Sequence, residues 1–175
     1  SAGARPAGIR PYVMDELVAD VVAVLDAAGL DRAHVVGHDW GGAVAWALAT
    51  AQPQRLGSLT VLSTPHPAAL ARAMRSSTQA LRSAYVGWFQ LPMVPERVLL
   101  AGGGRVLRTV LERSGLPADL AAAYTDRQRG PGALRASLAW YRALRFGGVR
   151  PTPDVAADVP TLYVWSTGDG ALGLH

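Results

Sequence analysis

The sequence predicts an α/β protein, a parallel sheet flanked by helices, with an all-helical block inserted into it. Three observations carry that expectation. Short apolar, β-branched runs alternate with helical stretches through the first third of the chain, the signature of a parallel sheet. The alternation stops between about residues 68 and 150, where helical spacing recurs without a convincing strand. It returns in "VPTLYVWSTGD", an apolar run that ends in a turn. The expected division is therefore a core over 1–67, a helical cap over 68–150, and a return to the core over 151–175.

Each element has its own warrant. Residues 1–13, with Pro6 and Pro11, read as loop. In "MDELVADVVAVLDAAGL" the positions Leu17, Val18, Val21, Val22, Leu25 and Leu30 fall on one helical stripe. Asp15 and Glu16 stand in its first turn, where the helix dipole favours negative charge, and Gly29 is the expected stop. "AHVVGH" is short and β-branched and reads as a buried strand. "GGAVAWALATAQP" is the next helix, ended by Pro53, and "LGSLTVLSTP" supplies a second strand around Leu59–Leu62. The cap helices are read from "AALARAMRSSTQALRSAY", "RVLRTVLERS", "PADLAAAYTDRQ" and "GALRASLAWYRALRF", punctuated by glycine and proline at 102–104, 115–117 and 130–132. "AGGGR" is a loop between helices and has no strand before it, so it is no phosphate cradle. The last strand is Thr161 to Trp165, and its turn carries Asp169. The chain stops soon afterwards with no closing helix, and the expectation is of an incomplete sheet.

Composition excludes several classes. With 175 residues and half of them apolar, the chain is long enough for a real core. No apolar run reaches the ~18–20 residues of a membrane span, and "SAGARPAGIRPY" lacks the apolar core of a secretory signal. A cytoplasmic location is the default expectation. The absence of cysteine removes disulfides and thiolate metal sites, and no cluster has metal-ligand spacing. The net charge is +4 and all 17 basic residues are arginine. They are spread along the chain, with Arg72, Arg75, Arg82, Arg105, Arg108 and Arg113 at roughly helical spacing. That reads as solvated helix faces and not as a nucleic-acid surface, which wants a denser patch interleaved with aromatics.

The chemistry concentrates at Gly37-His38-Asp39-Trp40-Gly41-Gly42, where a strand gives way to a helix. A turn that sharp strains its central residue and demands small neighbours two positions away. Gly37 and Gly41 meet that demand, while Gly42 lets the helix approach the sheet. The central side chain then rises above the carboxyl end of the strand, where open α/β sheets bind ligands. Asp39 thus reads as a nucleophile kept ionised by the positive end of the helix, with the Trp40 N–H aimed to hold developing negative charge. The competing reading is a plain helix cap, which leaves both glycines without a reason.

With those residues in view, "GHDWGGAVAWALA" resembles the nucleophile elbow of the α/β-hydrolase-fold enzymes that use aspartate, the epoxide hydrolases and haloalkane dehalogenases. "RPAGIRPYVMDELVADVVAVLDAAGLDRAHVVGHDWGG", "STPHP" and "WFQLP" are similar to that group as well. The resemblance implies an α/β-hydrolase fold with a helical cap and no cofactor. It implies an aspartate that attacks an epoxide carbon to form an ester, and a histidine that activates water to hydrolyse it. By position, Asp39 matches the nucleophile, Trp40 the oxyanion-hole amide and Asp169 the acid that orients the histidine. Tyr141, in "WYR", matches a cap tyrosine that hydrogen-bonds the opening oxygen. For the second phenol the motif has tyrosine directly before "FQ", whereas this chain has Trp88. Tyr85 lies three residues earlier, about one turn away. Trp88 either lines an apolar pocket or holds a leaving halide beside Trp40, which keeps a haloalkane substrate open. His38 is expected to support the turn, and His66 to border the pocket or pack the loop. His34 reads as a strand-start residue and His175 is assigned no role. An "HGxP" loop is expected upstream of Ser1 and the catalytic histidine downstream of His175. The implied partners are a small apolar epoxide, or a haloalkane, and water. A binding remnant of the fold is the rival from outside enzymology. Oligomeric state is not legible.

Overall fold

The computed structural model describes residues 4–76, 83–147 and 159–167. The described residues fall into two compact units: Tyr12–Ser83 with the chain from Leu144 onward, and the chain up to Pro11 with Ala84–Ala143.

The first unit is built on a parallel sheet of β1 (Ala33–His38), β2 (Leu56–Leu62) and β3 (Thr161–Val164), in the order β1-β2-β3. Helix α1 (Met14–Ala27) buries Met14, Leu17, Val18 and Leu25, one helical stripe. It ends as a glycine stop should. Gly29 sits at φ +68°, and the Leu30 N–H reaches back to the Leu25 carbonyl at 2.9 Å, satisfying a carbonyl that the helix leaves open. Arg55 then ties that end down, donating to Asp26 Oδ1 (2.7 Å) and to the carbonyls of Leu30 and Asp31. Helix α2 (Trp40–Ala51) is apolar nearly all round, buries Val44 through Ala49, and packs on α1, β1 and β2. A helix α3 (Pro67–Ser76) follows β2.

Two strands depart from expectation. β1 and β3 are apolar runs of the kind that is buried on both faces, yet Val36 is 67% exposed and all four residues of β3 are exposed. Both are outer strands of the described sheet. Only β2, between them, is lined by fully buried residues, Leu56, Leu59 and Val61. Apolar content reports the ability to be buried; neighbours decide whether burial happens.

In the second unit the stretch Ala84–Ala143 is built of helices joined by short turns: α4 (Ala84–Phe89), α5 (Val94–Leu99), α6 (Ala101–Arg113), α7 (Ala118–Arg129) and α8 (Ala133–Ala143). Leu99, Leu134 and Leu138 form its apolar centre, with Trp88, Phe89, Leu100 and Leu107 packed against them. Near its start α6 is interrupted by Gly102, Gly103 and Gly104, all at positive φ (61°, 74° and 92°), a left-handed turn. A side chain at Gly104 would come within 2.5 Å of Thr125 Cγ2 on α7, so the start of α6 lies against the end of α7 and the two run antiparallel.

Candidate active site

Asp39 stands alone between the last residue of β1 and the first of α2, at φ +51° and ψ −124°. For a residue with a side chain this is a strained conformation costing about 1–3 kcal/mol. A capping aspartate adopts an extended backbone and bonds an amide of the first turn. Asp39 does neither: its side chain makes no cap hydrogen bond. The helix-cap reading therefore fails on geometry. The backbone holds the turn instead, since the Asp39 carbonyl accepts from the Ala43 N–H (3.1 Å) and from the Thr64 hydroxyl (3.0 Å). The carboxylate is left exposed at the positive end of α2.

The glycines around it divide into two kinds. At Gly37 an added Cβ would collide with the backbone of Gly41 and lie 2.9 Å from Gly42 Cα. At Gly42 it would meet the Thr64 Oγ1 at 2.5 Å. Close approach of helix and strand therefore requires the first, and close approach of the helix to the segment after β2 requires the second. Gly41 corrects the sequence expectation, because nothing lies within 4 Å of a Cβ there. The chain enters α2 at that point and its side-chain direction faces open space.

The segment after β2 braces the turn from the other side. Ser63 is buried, sits at φ +51°, donates its N–H to the Val164 carbonyl (2.8 Å), and accepts the Ser166 N–H on Oγ (3.2 Å). It thereby clamps the exit of β3. Asp169 lies beyond that exit, outside the described residues. The next residues hold His66, whose ring stands edge-on to Trp46 at 5.0 Å and whose Nδ1 accepts the Ala68 N–H at 3.3 Å. The Trp46 indole donates to the Thr64 carbonyl (3.1 Å). Burial holds the His66 pKa below its ordinary value of 6.5, so the ring is neutral with its proton on Nε2. Of its two expected roles, packing the loop is the one these contacts describe. His38 is exposed at the end of β1, where it pairs with Leu62 of β2 in the ladder. His34 pairs with Ser58 across the strands (2.8 Å).

In the helical unit Tyr141 and Tyr85 come together. Their ring centroids are 5.9 Å apart and nearly perpendicular, with Phe89 edge-on to both at 4.9 and 5.5 Å. One turn of spacing thus brings Tyr85 to Tyr141 although Trp88 occupies the position before "FQ". Trp88 packs into the apolar centre instead. Gln90 donates to the Tyr141 carbonyl (2.9 Å) and fixes that helix against α4.

Two residues of this unit escaped the sequence reading. Arg142 is buried and grips Glu96 through its two terminal nitrogens (2.5 and 2.9 Å), while also donating to the carbonyls of Phe89 and Leu91. Burial pushes the Glu96 pKa up, but the Arg142 hydrogen bond and charge outweigh it and hold the carboxyl below its ordinary value. A signal was there. Leu134, Leu138 and Arg142 stand at i, i+4 and i+8, so the arginine continues an inward-facing apolar stripe and needs a buried partner.

Comparison with known proteins identifies the family of the fold. A family model for the alpha/beta hydrolase fold matches residues 2–94. The chain is 36% identical over 174 residues to the AB hydrolase superfamily protein YfhM of Bacillus subtilis (strain 168), covering 94% of this chain and 59% of that protein. It is 27% identical over 181 residues to Epoxide hydrolase 1 of Caenorhabditis elegans, covering 98% and 45%. A crystal structure of Bacillus megaterium epoxide hydrolase in complex with an inhibitor superimposes with a TM-score of 0.80 at 25% identity, over 97% of this chain and 64% of that one. The chain thus spans about half the length of the curated relatives it matches.

Proposed function

The chain belongs to the alpha/beta hydrolase fold family, and from that premise we propose that it carries the nucleophile of an epoxide hydrolase-type enzyme. One observation carries the reading: Asp39 is held in a strained left-handed backbone between strand and helix, with a carboxylate that caps nothing. Strain is retained where function uses it. Two relatives of known name, the Caenorhabditis elegans and Bacillus megaterium proteins, are epoxide hydrolases, which supports the choice of substrate.

In the proposed first step an Asp39 oxygen attacks an epoxide carbon. The ring carbon–oxygen bond breaks, and the departing oxygen takes a proton from a cap phenol as the ester forms. Tyr141 is the proposed donor, with Tyr85 as its partner. The edge-to-face contact of the two rings supports pairing them in one role. The Trp40 amide would stabilise the oxyanion when water later attacks the ester carbonyl. That second step needs a histidine base oriented by an acid. Asp169 is the proposed acid, and none of His34, His38, His66 and His175 is assigned as the base. The ester on this chain should therefore persist.

The test is intact mass spectrometry of residues 1–175 after incubation with styrene oxide. The expected product is heavier by the whole mass of the epoxide, since addition expels nothing, and Asp39→Asn should not form it. No adduct on the wild-type chain would sink the reading. A haloalkane that adds only its alkyl group while releasing halide, with the epoxide inert, would replace it by dehalogenation.

A further inference from the structure

The stretch Ala84–Ala143 holds the whole charge excess of the chain. Residues 84–143 contain eight arginines and four acids, while the remaining positions balance. That charge is arranged on the hairpin of α6 and α7 in a repeated pattern. On α6, Val106 and Val110 stand one turn apart and Arg113 follows; on α7, Leu120 and Tyr124 stand one turn apart and Arg127 follows. Each helix thus reads apolar, apolar, arginine at i, i+4 and i+7, which is one flank of a helix.

The two flanks face the same way. In α6 the inward positions are Gly104, Leu107 and Leu111, and in α7 they are Ala121, Ala122, Thr125 and Gln128, the less exposed residues of each helix. Relative to those positions, 106/110 and 120/124 are displaced around their helices in the same sense. In an antiparallel pair, equal displacement from the contact line puts both flanks on one side. The result is a surface where Val106, Val110, Leu120 and Tyr124 are 37%, 52%, 45% and 51% exposed. Antiparallel packing sets Arg113 and Arg127 at its opposite ends. Neither makes an ion pair among the described residues, unlike Arg108 and Arg129.

Four exposed apolar side chains between two uncompensated arginines do not suit a protein surface meant only for water. We propose that this flank of the α6–α7 hairpin is a docking surface for an anionic lipid bilayer. The apolar residues enter the boundary between headgroups and acyl chains. The long arginine stems lie along that boundary with their guanidinium groups on lipid phosphates. The net positive charge of the unit draws it to a negatively charged membrane, an attraction that salt screens. The site lies wholly within one compact unit and is independent of the reaction proposed for Asp39.

The experiment is cosedimentation of the full chain with vesicles of phosphatidylcholine and phosphatidylglycerol, against vesicles of phosphatidylcholine alone. Binding is expected to the mixed vesicles at low salt and to fall away at high salt. The pair Arg113→Gln/Arg127→Gln should weaken it on the order of thirtyfold, and Leu120→Ser/Tyr124→Ser by about tenfold or more. All four positions are outside the packed centre, so unchanged circular dichroism should accompany both losses. Absence of binding to the mixed vesicles would overturn the proposal, as would equal binding to both kinds. Binding that survives both paired substitutions would overturn it too. Equal affinity for soluble polyglutamate, with the Leu120/Tyr124 variant unaffected, would mark a simple polyanion surface and likewise refute a bilayer.

Discussion

Replacing Gly37 by alanine tests the steric account of the Asp39 turn most directly, because Gly41 provides an internal control four residues away. The new Cβ at 37 would lie 2.8 Å from the Gly41 carbonyl carbon and 2.9 Å from Gly42 Cα, with the Gly41 oxygen nearer still. Carbon atoms pack comfortably at about 3.5 Å or more, so helix and strand would have to separate by roughly 0.6 Å at the point where they meet. The obstacles are backbone atoms and cannot rotate away. Overpacking of this kind costs about 1–3 kcal/mol and more where nothing yields, so about 3 kcal/mol is expected for Gly37→Ala. Gly41→Ala meets open space inside the first turn of α2 and should gain about 0.5–1 kcal/mol, because alanine is the better helix former. Urea denaturation followed by circular dichroism gives both values. Equal midpoints for the two variants would refute the reasoning, and so would a larger loss at 41 than at 37.

Three further outcomes are expected. Arg142→Met leaves the half-buried Glu96 carboxylate without its partner and should cost about 1–3 kcal/mol by the same assay. Because the folded pKa of Glu96 is depressed, the stabilisation of this pair is present above the unfolded carboxyl pKa and lost as pH falls through the folded one. The variant's stability should accordingly lack that acid-side decline. His66 is also held below its ordinary pKa. Its contribution is complete above about pH 6.5 and lost as pH falls through its folded value, and His66→Gln should abolish this step while keeping the one from Glu96. Finally, Tyr141→Phe should slow formation of the Asp39 ester on the order of a hundredfold, measured by the rate of mass gain. Tyr85→Phe should slow it in the same direction.

The readability of these features tracks how local their causes are. Helix α1 and its stop could be read because a 3.6-residue period and a left-handed glycine are written in neighbouring residues, and Gly29 is where the pattern asks for it. The strand–Asp39–helix turn was legible for the same reason. Its details were less so: the motif treats Gly37 and Gly41 alike, while space is short only at Gly37. The exposure of Val36 and β3 was not legible, since an apolar strand does not say what lies on it. The Glu96–Arg142 pair joins positions 46 residues apart, and no spacing rule connects them. Only the arginine's place in an apolar stripe hinted at a partner. Tyr85 shows a third case, in which helical geometry delivered a phenol beside Tyr141 although the linear motif had moved.

The left-handed turn at 102–104 reaches from backbone geometry into heredity. Every L-residue other than glycine loses about 1–2 kcal/mol in that handedness, and here three such positions follow one another. At Gly104 crowding by Thr125 forbids a side chain as well, whereas Gly103 has empty space around it and is barred by chirality alone. All glycine codons share their first two bases and differ only in the third. Mutation can therefore drift silently at every third base of this short stretch of gene, while a change at either of the others replaces a mirror-image turn with one that no L-amino acid favours.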